Sequence, residues 1–116
     1  DLSGARESME RAITIEQKHF APDHPIFASR YSNLAATQYS QGDLPGARAS
    51  MERAIAIQQM HFAADHPTLA TSYSNLATIQ QDQGDLPGAR QRYEQSLEIA
   101  QRLAAIRGLA SPSNQA

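Results

Sequence analysis

The chain has 116 residues, 41% of them hydrophobic and 19% charged, with a net charge of −2 and no cysteine. That is one domain's worth of chain, and the missing cysteine excludes disulfides, thiolate metal sites and a cysteine nucleophile. A nearly neutral chain lacks the field that holds nucleic acid, and no apolar run approaches the roughly 18 residues of a membrane span.

Asp1 to Gly42 aligns without a gap on Asp43 to Gly84, and 28 of the 42 positions are identical. A third copy opens at Asp85 and is recognisable as far as Ile99. A fixed period of this size marks a solenoid, in which each unit buries its apolar face only against its neighbours. Asp1 stands at a repeat boundary, so the chain is expected to be a piece of a longer array. A cytoplasmic location is expected, with any targeting segment placed outside this piece.

The first copy supplies only the second helix of a pair. Five helices are therefore expected. Residues 1–24 hold a lone second helix and a link, 25–66 a full unit, 67–109 a full unit with an extended last helix, and 110–116 a disordered tail. In the first full unit, Gly42 ends one helix and Asp43 restarts the chain, with Pro45 in the first turn. The second helix turns Leu44, Ala47, Met51, Ala54, Ile55 and Ile57 inward and is expected to reach about Met60 or Phe62. Ala63-Ala64-Asp65 then leads to His66-Pro67. From Thr68 to Gln83, Leu69, Ala70, Tyr73, Leu76 and Ala77 recur at the steps of one helical face. Asp65 is expected to cap this helix, Pro67 suits a first turn that needs no donor, and Gly84 is the expected left-handed stop. Asp85 and Pro87 start the last helix, which continues through Gln101 to Arg107. Ser111 to Ala116 reads as disordered. Ala35, Ala77, Ala47, Ala89 and Ala54 stand where helices cross closely, with Ala5 and Ala12 as their copies.

Chemistry-bearing residues invite sharper readings. His19, Asp23 and His24, repeated as His61, Asp65 and His66, contain metal-ligand types. Each histidine pair straddles a turn, however, and a true site needs three or four converged ligands, so no metal and no cofactor are expected. Ser, His and Asp also occur, but every candidate is duplicated a full period away. A catalytic site needs one converged set, so no enzymatic activity is expected. Glu10, Arg11, Arg48, Glu52 and Arg53 read as a mixed-sign solvated face, with Glu7 and Arg11 spaced for a helical ion pair. Met9 and Met51 read as core fillers.

The stretch Asp65-His66-Pro67, Ala70, Tyr73, Asn75-Leu76-Ala77, Gln83-Gly84, Ala89, Tyr93 and Ile99 resembles the tetratricopeptide repeat. The unit before repeats it as Asp23-His24-Pro25, Ala28, Tyr31, Asn33-Leu34-Ala35, Gln41-Gly42, Ala47, Met51, Ala54 and Ile57. The likeness is to the 42-residue variety typified by kinesin light chains and common in bacterial signalling proteins, and points to a fragment of such a bacterial protein. It covers the chain to about Arg102. Gln38 and Gln80 replace the family's usual aromatic, and Ser96 replaces a small apolar residue. The resemblance implies an all-α, right-handed superhelical solenoid of antiparallel helix pairs.

In such arrays the first helix of each unit lines a concave face. The residues expected there are Ser29, Ser32, Asn33, Ala36, Tyr39 and Ser40 in one copy, and Thr71, Ser74, Asn75, Thr78, Gln81 and Asp82 in the next. The resemblance implies that Asn33 and Asn75 hold the backbone of an extended peptide. An amide offers donors and an acceptor for that purpose. The other reading has them bonded to a neighbouring helix or to water. No Lys or Arg stands among these residues and Arg30 lies only at their edge, which argues against a carboxylate clamp. The expected function is a scaffold that binds a protein or peptide. The alternative is an intramolecular regulatory or self-assembly module of a larger signalling protein. Met9, Ile13, Leu103, Ile106 and Leu109 mark ends through which a homo-oligomer could form.

Overall fold

The computed structural model describes residues 1–110 of the chain. Five helices follow one another: α1 (Leu2–Glu16), α2 (Pro25–Ser40), α3 (Leu44–His61), α4 (Pro67–Asp82) and α5 (Leu86–Ala110). No strand occurs among the described residues. Of the tail expected over 110–116, Ala110 still belongs to α5 and the remainder lies outside the described residues.

Each boundary has a local cause. Asp1, Asp43 and Asp85 accept hydrogen bonds from the backbone N–H of Gly4, Gly46 and Gly88 at 2.6, 3.0 and 3.1 Å, satisfying donors that a helix start leaves free. Gly42 and Gly84 follow α2 and α4 at φ +81° and +84°, a region that costs a residue with a Cβ about 1–2 kcal/mol. The chain then doubles back. Asp43 N–H reaches Gln38 O, and Asp85 N–H reaches Gln80 O, both at 2.9 Å. This closes the last turn of each helix and sets the next helix antiparallel.

The other link corrects an expectation. Asp65 does not cap α4. His66 occupies the N-cap position and its Nδ1 accepts from Thr68 N–H at 3.0 Å, as His24 Nδ1 accepts from Ile26 N–H at 3.1 Å. Asp65 stands one residue too early to reach those donors. Accepting at Nδ1 places the proton on Nε2. Phe62 stacks on His66 with centroids 4.1 Å apart, and Phe20 lies 4.6 Å from His24. Asp23 contributes only its backbone carbonyl, which accepts from His61 Nε2 at 2.7 Å.

Packing follows the repeat. The pairs α2–α3 and α4–α5 form two units, and α1–α2 and α3–α4 contacts join successive units. Ala35, Ala47, Ala54 and Ala77 are fully buried at the crossings, while Phe27, Leu69 and Leu76 fill the layers between them. Ala5 and Ala12 are only half-buried, because no described helix packs on that flank of α1. The radius of gyration is 16.4 Å, against roughly 13 Å for a compact domain of this length. The molecule is extended along its stacking axis.

Arg48 does not belong to a solvated face. It reaches the next unit, donating to Asp85 Oδ2 and Gln83 Oε1, both at 3.1 Å. Arg6 does the same one unit earlier with Asp43 at 2.9 Å and Gln41 at 3.2 Å. Arg53 lies 5.3 Å from the Tyr31 ring centroid and donates to the Tyr31 hydroxyl at 3.3 Å. Among the described residues Glu7 and Arg11 form no ion pair. The expected open ends are also redrawn. Ile13 is buried and Met9 half-buried because α2 covers that flank of α1, and Leu103 packs partly against the core. Ile106 is exposed as expected and Ile15 is exposed too, while the side chain of Leu109 lies outside the described residues.

Candidate peptide-binding groove

The helical period places Ser32, Asn33, Ala36, Tyr39 and Ser40 on the flank of α2 beside its buried stripe of Ala28, Tyr31, Ala35 and Gln38. The same offset on α4 presents Asn75. Stacking α4 beside α2 brings the two faces together around a cleft of about 480 Å³. It is lined by Ser32, Asn33, Ala35, Ala36, Tyr39, Ser40, Met51, Asn75, Thr78 and Ile79. Seven of the twelve residues read from the sequence stand on this lining. Ala35, Met51 and Ile79 form an apolar floor that was not anticipated. Met51 is buried, as a core filler should be, and its edge also lines the cleft. The one visible signal was at Ile79, which replaces the polar Thr37 of the preceding copy.

The remaining five residues stand elsewhere. Ser29 is exposed beyond the cleft, and Thr71 bonds its own helix at Pro67 O, 3.5 Å away. Ser74 is occupied by Ser96 of α5 at 2.7 Å. Gln81 lies at the α5 end of the molecule, where it accepts from the Tyr93 hydroxyl at 3.3 Å. Asp82 accepts from the Tyr39 hydroxyl, a bond that joins α4 to α2. That bond, then the partial burial of the ring, hold the Tyr39 hydroxyl above the ordinary tyrosine pKa. Tyr39 therefore remains a donor at neutral pH.

Asn33 and Asn75 are exposed, and neither side-chain amide takes a hydrogen bond among the described residues. Arg30 is not available at the edge. Glu16 holds it through two bonds of 2.8 and 2.9 Å, and this contact raises the Arg30 pKa further. No cation lines the cleft. The histidine–aspartate links do not converge either: His24 and His66 are spent on caps, and no group of three or more His, Asp or Glu that could hold a metal gathers among the described residues. No helix of the described residues is long and apolar enough to cross a membrane.

The sequence profile of the tetratricopeptide repeat matches residues 31–102. The chain belongs to the tetratricopeptide repeat family. Such repeat arrays are in general protein–protein interaction modules. A solved structure from Podosopora anserina, described as a kinesin light chain with nearly identical TPR-like repeats, superposes with a TM-score of 0.79 at 26% identity. The match covers 97% of this chain and 52% of that one, so this tetratricopeptide array spans about half its length. No curated protein matches the chain.

Proposed function

We propose that the cleft between α2 and α4 holds an extended segment of a partner protein. The observation that carries this reading is the pair Asn33 and Asn75. They stand one period apart on adjacent helices, both with unengaged amides, beside an apolar floor. An extended strand offers N–H and C=O groups at regular intervals, and two amides in register can grip it whatever its side chains. The floor of Ala35, Met51 and Ile79 then selects small or aliphatic side chains. With no cation in the cleft, the segment is an internal, uncharged stretch and not a free C-terminus.

The test is a binding measurement with peptides selected from a random library on the immobilised chain. Each net hydrogen bond is worth about 0.5–1.5 kcal/mol, so Asn33→Ala with Asn75→Ala should weaken binding about ten- to a hundred-fold. Both residues are exposed, so the double variant should melt as the parent does. Selected peptides that bind parent and variant equally would contradict the proposal.

A further inference from the structure

The far face of α5 differs from every other second helix in the molecule. On α3, the corresponding Met51 and Ile55 are buried at 4% and 5% exposure, covered by α4. On α5, Leu86, Tyr93 and Leu97 are 62%, 38% and 55% exposed. They border a shallow cleft of about 350 Å³ together with Ala89, Arg90 and Glu94. No described residue turns back over this face. At the positions where α3 gives way to the Asp-His-Pro link, α5 continues as helix to Ala110.

The charges are unfinished in the same way. Arg6 and Arg48 each grip the aspartate of the following unit, whereas among the described residues Arg90, their third copy, pairs within its own helix, with Glu94 at 3.0 Å. The side chains of Arg90 and Glu94 are 83% and 63% exposed.

We propose that this face binds a second copy of the chain, with the two α5 helices packed antiparallel about a two-fold axis. The pattern is self-complementary. Leu86 and Leu97 lie at equal distances from the point midway between Arg90 and Tyr93, so an antiparallel copy sets each Leu86 against the other's Leu97. Arg90 and Glu94 lie on one edge of this stripe, and the same axis sets each Arg90 beside the other's Glu94. An isologous contact requires this property of a surface. Tyr93 supplies a fixed floor near the axis, since its hydroxyl is bonded to Thr78 of α4 at 3.0 Å. The groove between α2 and α4 lies on other helices and stays open in the dimer. A single helix pair is smaller than a standard stable interface, so the dimer is weak and depends on concentration.

Light scattering behind a sizing column, over a range of loading concentrations, tests this. The mass should rise from 12.7 kDa toward twice that value. Arg90→Glu and, separately, Leu97→Glu should hold the chain at the monomer mass, with far-UV circular dichroism unchanged because both side chains are exposed. Arg90→Glu combined with Glu94→Arg should restore the dimer, because both ends of the cross-pair are then reversed. A monomer mass at all concentrations overturns the proposal. So does a dimer indifferent to Arg90→Glu and Leu97→Glu, or a reversed pair that fails to restore association.

Discussion

Gln38 and Gln80 occupy the same place in successive units, and one difference between their surroundings decides their bonding. Both are buried. Each amide nitrogen packs against a glycine of the next helix: a Cβ on Gly46 would come 2.9 Å from Gln38 Nε2, and one on Gly88 2.8 Å from Gln80 Nε2. The Gln38 Oε1 accepts from the Ser50 hydroxyl at 2.6 Å. The third copy has Arg92 where Ser50 stands, and Gln80 Oε1 is buried without a partner among the described residues. An unmet buried acceptor costs about 1–3 kcal/mol, while a made bond contributes about 1 kcal/mol. The same substitution should therefore have opposite signs at the two sites. Gln38→Leu orphans the Ser50 hydroxyl and should lower stability by about 1 kcal/mol, whereas Gln80→Leu removes the unmet group and should be neutral or stabilising by about 1 kcal/mol. Urea denaturation midpoints of the two variants check this; a loss at Gln80 as large as that at Gln38 would contradict it. The sequence showed that both glutamines depart from the family's aromatic. It could not show which had a partner, because that depends on how α3 and α5 present residues 50 and 92 across the pair.

At the scale of the element, helix ends were more legible than caps. Gly42, Gly84, Asp43 and Asp85 act locally, through one backbone conformation and one side-chain bond, so their roles follow from their order in the chain. The start of α4 was misread because Asp65 and His66 are both acceptors and adjacent, and only geometry chooses between them. His66→Ala should cost about 1 kcal/mol, typical of losing an N-cap. His66→Asn should recover most of that, since an amide oxygen can accept from the same donor. Equal destabilisation by Ala and Asn would mean that the stacking of His66 on Phe62, and not the cap, is what α4 loses. The expectation of a bare Ile13 is corrected for a related reason. Periodicity identifies the apolar flanks of α1 but not the order in which neighbours cover them. Since α2 takes the Met9–Ile13 flank, Ile15 is left exposed, as is Leu2 at the start of the helix.

At the scale of the molecule, the period makes one local solution serve twice. Arg6 and Arg48 tie each unit to the cap of the next, and Tyr39 ties α2 to α4 through Asp82. Each such exposed or half-exposed contact is worth little alone, about 0–1 kcal/mol for a surface ion pair. Repetition fixes the angle between units, and that angle shapes the groove. The polar rim of the groove was legible because it needs only the outward positions of α2 and α4. Its floor was not, because Met51 and Ile79 meet across a boundary between units. The most direct test of the proposed function is to follow the amide spectrum of the isotope-labelled chain as a library-selected peptide is added. Binding in the groove should shift the side-chain amides of Asn33 and Asn75 together with the backbone of Ser32 and Thr78. Shifts confined to the exposed face of α5, with both asparagines unmoved, would contradict peptide binding in the groove.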